Sequence, residues 1–179
     1  GSRQLAAALV RAVERSGELR VPAAELGSDV PLFLSGGTVL LEGRGDRTTV
    51  LPPLQETHLV LLVPQSVSMP DKTGALYGRL TPMNFTRGQF VRAASFSIER
   101  RATIPEDLMF NAFESVAFDF FPGLREDRET FSDLTGRQVH LAGSGPCLYV
   151  LCENADEAMA LEASLTRAGH DARVERTTG

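Results

Sequence analysis

No stretch of this chain is apolar for long enough to cross a bilayer. The apolar runs at residues 58–63 and 147–152 fall far short of the roughly 20 residues that a spanning helix needs. No signal-peptide pattern is visible either, so no membrane partner is expected. Positive charge is scarce as well, with 18 Lys and Arg against 23 Asp and Glu and a net charge of -5. No basic stripe is available to neutralise phosphates, and the densest basic group, Arg100 and Arg101, follows Glu99. This argues against nucleic acid as a partner. Only two cysteines occur, Cys147 and Cys152, in one apolar run. Strand alternation puts them on opposite faces, which disfavours a mutual disulfide. Two thiols without histidine partners make a poor metal site. The chain reads as reduced and cytoplasmic. Internal repeats and low-complexity stretches are also lacking.

What remains is an ordinary globular composition. Of 179 residues, 42% are hydrophobic and 23% charged, enough for one domain or one and a fraction. Residues 3–16 carry Leu5, Ala8, Leu9, Ala12 and Val13 on one helical face, and Gly17 ends that helix. Nothing upstream would cover the face, so missing sequence is expected. Gly1 and Ser2 read as an expression scar in preference to the tail of a glycine-rich loop. A short helix begins near Asp29, Val30 and Pro31 and ends at Gly36 and Gly37. Residues 38–42 and 47–51 alternate as two strands joined by Gly43, Arg44, Gly45 and Asp46. The embedded Arg-Gly-Asp triplet is read as turn chemistry rather than an adhesion ligand. Pro52 and Pro53 mark a seam, which divides the chain into expected domains at 1–55 and 56–179.

Beyond the seam, residues 58–63 form a buried strand and residues 71–80 a short helix. Residues 82–100 are ambiguous, with Phe90, Val91, Ala94 and Ile98 at helical spacing. A helix is predicted from Pro105 to Phe120, its first-turn acids Glu106 and Asp107 suiting the helix dipole; Pro122 and Gly123 stop it. The end of the chain reads as a strand (137–141), a glycine loop (142–146), a strand (147–152), a helix (155–168) and a strand (172–176). Helices on one face of an antiparallel sheet predict an α+β sandwich.

Three segments could carry chemistry, and each also has a plain structural reading. In LGSDVP, Asp29 lies at or beside the N-cap of a proline-started helix, which is sufficient reason for an acid there. A carboxylate held at a helix start is also well placed as a base, and the two roles are compatible. In AGSGP, Gly143, Ser144 and Gly145 let the backbone approach a ligand and form an anion-binding nest, although the same residues make a good tight turn. In DKTGALY, Thr73 and Tyr77 share a helix face at i and i+4. A hydroxyl beside an aromatic ring suits a base or a sugar, and it equally suits a half-buried surface patch.

In this order, LGSDVP–FLSGGT–EGRGD, KT-x-x-x-Y, Asn111-Ala112-Phe113-Glu114 and AGSGPCLYVL resemble the carboxy-terminal two-thirds of the 4-diphosphocytidyl-2-C-methyl-D-erythritol kinases, a family of the GHMP small-molecule kinase superfamily. The likeness runs from about residue 3 to about residue 168. It is most specific in the LGSDVPLFLSGGTVLLEGRGD block, whereas the glycine loop is shared across the superfamily. The resemblance implies ATP and Mg2+ as cofactors, and the cytidine diphospho-methylerythritol substrate as small-molecule partner. It implies Asp29 as the base that activates the accepting hydroxyl. Thr73 and Tyr77 would hold the cytidine, and Gly143, Ser144 and Gly145 would support the phosphate region. The implied fold is a ferredoxin-like α+β domain after the closing part of a ribosomal-S5-like nucleotide-binding domain. The family's amino-terminal third, with its glycine-rich ATP loop, has no counterpart here, and Arg3 and Gln4 do not reproduce that loop's residues. The missing segment of its own protein is therefore an expected partner, and the chain alone is expected to be inactive. Another GHMP kinase, or a non-catalytic ligand-binding module, stays open beside this reading.

Overall fold

The computed structural model describes residues 30, 32, 36–43, 45–64 and 72–177. They fall into two compact units. One holds the residues up to Gln55 together with Ala93–Pro105, and the other holds Glu56–Arg92 together with the residues from Glu106 onward.

In the first unit, β1 (Val39–Glu42) and β2 (Arg47–Val50) pair antiparallel with Glu42 opposite Arg47. Gly45 N–H closes the turn on the Glu42 carbonyl at 3.1 Å, as the glycine spacing predicts. Upstream, Val30 and Leu32 are helical. The Gly36 N–H reaches the Leu32 carbonyl at 2.9 Å with φ +63°, the left-handed end expected of that glycine. The predicted helix at 3–16 lies outside the described residues.

The second unit is built on a four-stranded antiparallel sheet in the order β4-β5-β3-β6. Its strands are β3 (His58–Leu62), β4 (His140–Leu141), β5 (Leu148–Cys152) and β6 (Ala172–Arg176). Val60 sits opposite both Val150 and Val174, which fixes β3 in the middle. Its helices are α1 (Lys72–Tyr77), α3 (Glu114–Phe120), α4 (Leu124–Thr135) and α5 (Ala155–Arg167); α2 (Gln89–Arg101) starts here, and from Ala93 its residues group with the first unit. Strand–helices–strand–strand–helix–strand with this order is the ferredoxin-like α+β arrangement. One face of the sheet (Val60, Leu62, Leu148, Val150, Cys152) meets Leu76, Ala117, Phe121, Leu124, Phe131 and Leu165 in one buried core. Asn154 caps α5 by accepting the Glu157 N–H at 2.9 Å, which satisfies one of the helix's orphan donors.

The structure corrects three expectations. The helix predicted over 105–120 is broken into a 3-10 turn at Glu106–Leu108 and then α3. The cause is Asn111, whose side-chain oxygen takes the Phe113 N–H at 3.0 Å. An Asn side chain that serves the backbone in this way competes with helical hydrogen bonding. Residues 124–135, left unassigned by the sequence, form α4. It buries only Leu124 and Phe131, too sparse an apolar stripe to stand out. The strand expected at 137–141 shortens to His140–Leu141. The ambiguous 82–100 region becomes a 3-10 turn at Pro82–Asn84 followed by α2.

Candidate functional site

The glycine loop 142–146 joins β4 to β5, so one end is anchored on each strand. Its own hydrogen bonds run from Ala142 N–H to the Cys147 carbonyl and from Gly145 N–H to the Ala142 carbonyl, both at 2.8 Å. Gly143 and Gly145 have φ of +55° and +71°, left-handed values that glycine adopts without steric cost. Gly145 is buried and close-packed. A methyl added there would lie 2.8 Å from Leu141 Cδ1 and 3.3 Å from Phe121 Cε2, whereas one on Gly143 would meet nothing within 4 Å.

Two segments remote in sequence close on this loop. From α1, the Lys72 ammonium donates to the Gly145 carbonyl, and the Thr73 and Ser144 hydroxyls are 3.1 Å apart. From the residues just before α3, Asn111 Nδ2 donates to the Leu141 carbonyl at 3.0 Å and the Gly143 carbonyl at 2.8 Å. Glu114 Oε1 accepts the Leu141 N–H at 3.0 Å. Leu76 is fully buried and fixes α1 to the core. Tyr77, one position on, is 59% exposed and meets Phe113 edge-on with 4.9 Å between ring centroids.

Thr73, Ser144 and Gly145 therefore come together as one cluster, and Tyr77 presents a largely exposed ring from the same helix. Asp29 lies outside the described residues. Sequence reasoning gave no role to Lys72, Asn111 or Glu114. The only signal for the last two was their place in the Asn-Ala-Phe-Glu segment.

The loop meets charge of both signs, Lys72 at Gly145 and Glu114 at Leu141. Lys72 is its nearest cation by contact, and burial pushes the Cys147 thiol up, with Arg173 and Lys72 pulling it back and Asp171 adding to the rise. Burial also raises the Tyr149 phenol, helped by Glu114 and Glu106. Tyr149 stacks on His140 with centroids 5.1 Å apart; His140 in turn bonds Glu106 at 2.8 Å. Glycine leaves the backbone of this loop bare, and the Lys72 ammonium lies beside it. Among the described residues no group of three His, Cys, Asp or Glu could hold a metal.

Comparison with known proteins decides the family. Residues 93–171 match the family described as GHMP kinases C terminal. A 4-diphosphocytidyl-2-C-methyl-D-erythritol kinase of Dehalococcoides mccartyi is 44% identical over 157 residues, which cover 87% of this chain and 55% of that protein. Residues 93–171 thus belong to the GHMP kinase C-terminal family. A kinase of the same name from Synechococcus elongatus is 32% identical, with coverage of 84% and 52%. The crystal structure of a 4-(cytidine 5'-diphospho)-2C-methyl-D-erythritol kinase superposes with a TM-score of 0.69 at 31% identity. The match covers 90% of this chain and 57% of that one. A homoserine kinase from Cytophaga hutchinsonii shares the fold, with a TM-score of 0.59 at 18% identity over 83% of this chain and 50% of its own. This chain spans about half the length of the curated relatives it matches. No helix among its described residues is long and apolar enough to cross a membrane.

Proposed function

We propose that this chain is the carboxy-terminal part of an ATP-dependent kinase that phosphorylates the 2-hydroxyl of 4-diphosphocytidyl-2-C-methyl-D-erythritol. Residues 1–55 then close the nucleotide-binding domain and residues 56–179 form the second domain. The observation that carries the reading is the junction of α1 with the glycine loop through Thr73 and Ser144. It joins the helix that carries the largely exposed Tyr77 ring to the glycine loop.

ATP, when bound, would supply the γ-phosphoryl group, the bond from its γ-phosphorus to the bridging oxygen breaking so that ADP leaves. The chain's own residues do the rest. Asp29 takes the proton of the accepting hydroxyl as its oxygen forms the new bond to phosphorus. Tyr77 stacks on the pyrimidine and Thr73 offers it a hydroxyl. Gly143, Ser144 and Gly145 support the phosphate region. Such chemistry needs positioning and charge stabilisation more than covalent work. No step is assigned to magnesium. Because the donor is ATP, the reading assigns the reaction to the cytoplasm.

The test is turnover of ATP with the cytidine diphospho-substrate by the chain fused to its upstream segment. Asp29→Asn should lower kcat at least about a hundredfold, the scale of general-base loss, with folding retained, since Asn caps helices as well as Asp does. Tyr77→Ala should raise KM for the cytidine substrate well above its effect on ATP, because base stacking contributes about 1–3 kcal/mol. No turnover by the fused protein, or full activity in Asp29→Asn, would overturn the assignment. In that case a binding module is the better description.

A further inference from the structure

The polar groups of the glycine loop are used unevenly. The carbonyls of Leu141 and Gly143 both accept from Asn111 Nδ2, that of Ala142 accepts from Gly145 N–H, and that of Gly145 accepts from Lys72. On the donor side, Leu141 N–H is taken by Glu114, Ala142 N–H by Cys147 and Gly145 N–H by Ala142; Pro146 has no N–H. Two consecutive donors remain, the N–H groups of Gly143 and Ser144, which have no partner among the described residues. Gly143 is exposed and Ser144 half-buried, so solvent reaches both.

We propose that Asn111, assisted by Lys72, is a positioning residue for an oxyanion site made by the Gly143 and Ser144 amides. An anion near a tight turn is repelled by carbonyl oxygens and attracted by amide hydrogens. Successive free N–H groups beside left-handed glycines form an anion-binding concavity. Donors from outside the loop tie down its carbonyl lone pairs and fix their direction, so the attraction is not cancelled. Asn111 suits this task because its position is over-determined. Its oxygen is held by Phe113 N–H while its amide nitrogen bridges two carbonyls. The ligand class is a phosphate oxygen, belonging to ATP or to the diphosphate of the cytidine substrate. The inference rests on the kinase reading for that class, and it adds residues to which that reading gives no role.

Amide shifts of the isotope-labelled 179-residue chain, titrated with inorganic pyrophosphate, test the site. The Gly143 and Ser144 resonances should move most, and their amide hydrogens should exchange freely before the titration and slow by about tenfold or more at saturation. Asn111→Ala should weaken pyrophosphate binding about tenfold, the low end of what supporting residues contribute to a bound ion. Its far-UV circular dichroism should be unchanged, and Asn111→Gln should recover part of the loss. Parallel titrations with a non-hydrolysable ATP analogue and with CDP separate the two sources, according to which of them shifts these amides. Equal affinity in Asn111→Ala at a temperature where it is folded would overturn the proposal. So would Gly143 and Ser144 amides already protected in the free chain, a result that needs no variant to fold. Kinase turnover by the fused protein with Asn111→Ala indistinguishable from wild type sinks this inference alone. Absent turnover with intact, Asn111-dependent pyrophosphate binding sinks only the kinase reading.

Discussion

Two glycine-bearing turns in this chain look alike on paper, Gly43-Arg44-Gly45-Asp46 and Gly143-Ser144-Gly145-Pro146. Each joins two antiparallel strands, and each has two glycines at positive φ, +67° and +83° in the first, +55° and +71° in the second. The first is braced by near neighbours. Its turn bond runs from Gly45 to Glu42, and the flanking Glu42 and Arg47 form an exposed ion pair at 4.0 Å. The second is held by residues 30 and 73 positions away, Asn111 to Leu141 and Lys72 to Gly145. A turn can thus be ordinary by sequence and become a site once distant side chains have fixed which of its backbone groups remain for a ligand.

The largest expected effect tests this contrast most directly. Gly43→Ala and Gly145→Ala carry similar left-handed strain, about 1–2 kcal/mol. At Gly43 the new methyl would meet the end of the Asp46 side chain, whereas at Gly145 it would meet Leu141 and Phe121 in the core. Overpacking adds about 1–3 kcal/mol. Gly145→Ala should therefore cost more than Gly43→Ala by that margin in denaturant unfolding followed at probes within each unit. Equal costs would show that the second loop is no more constrained than the first.

A smaller loss is expected from Glu114→Ala. Leu141 is 2% exposed, and its N–H would lose its acceptor, at about 1–3 kcal/mol for a buried donor left unmade. Thermal unfolding would report it, and a change under about 0.5 kcal/mol would mean that water replaces the carboxylate. Smallest of all is Arg47→Ala. Its ion pair with Glu42 is exposed on both sides, and such pairs contribute little. Stability should move by no more than about 0.5 kcal/mol, so a larger loss would reveal long-range support for the first turn too.

A pH titration adds a local contrast. The Glu157 carboxyl lies below its ordinary value of 4.5, chiefly because it accepts the Glu153 N–H and also because it bonds Arg137. A carboxylate lowered by folding stabilises the folded chain above its unfolded pKa, and that contribution is lost as pH falls through the folded value. The melting-temperature gap between wild type and Glu157→Gln should therefore close as pH is taken from 6 towards 3. A gap that stays constant would assign the effect to packing.

Much of the architecture was legible because it follows from local pattern. All four sheet strands were legible, at 58–63, 137–141, 147–152 and 172–176, the second of them longer than the structure makes it. The helix read at 155–168 is α5, and Gly36 and Gly45 marked their turns. Motif order alone carried the family, because the LGSDVP, KT-x-x-x-Y and AGSGP stretches keep their spacing whatever the fold. Tertiary structure decided the rest. The break at Asn111 could not be read from helical periodicity, since that side chain leaves the helix for carbonyls 30 and 32 positions away. α4 escaped because burying Leu124 and Phe131 alone makes too weak a stripe. Nor could the sequence show that Thr73 meets Ser144, or that every carbonyl bond around Gly143 and Ser144 leaves those two amides over. Hydrogen-bond partners are chosen by proximity in space, and a linear chain carries that information only once its core has brought β4, α1 and the segment before α3 to one place.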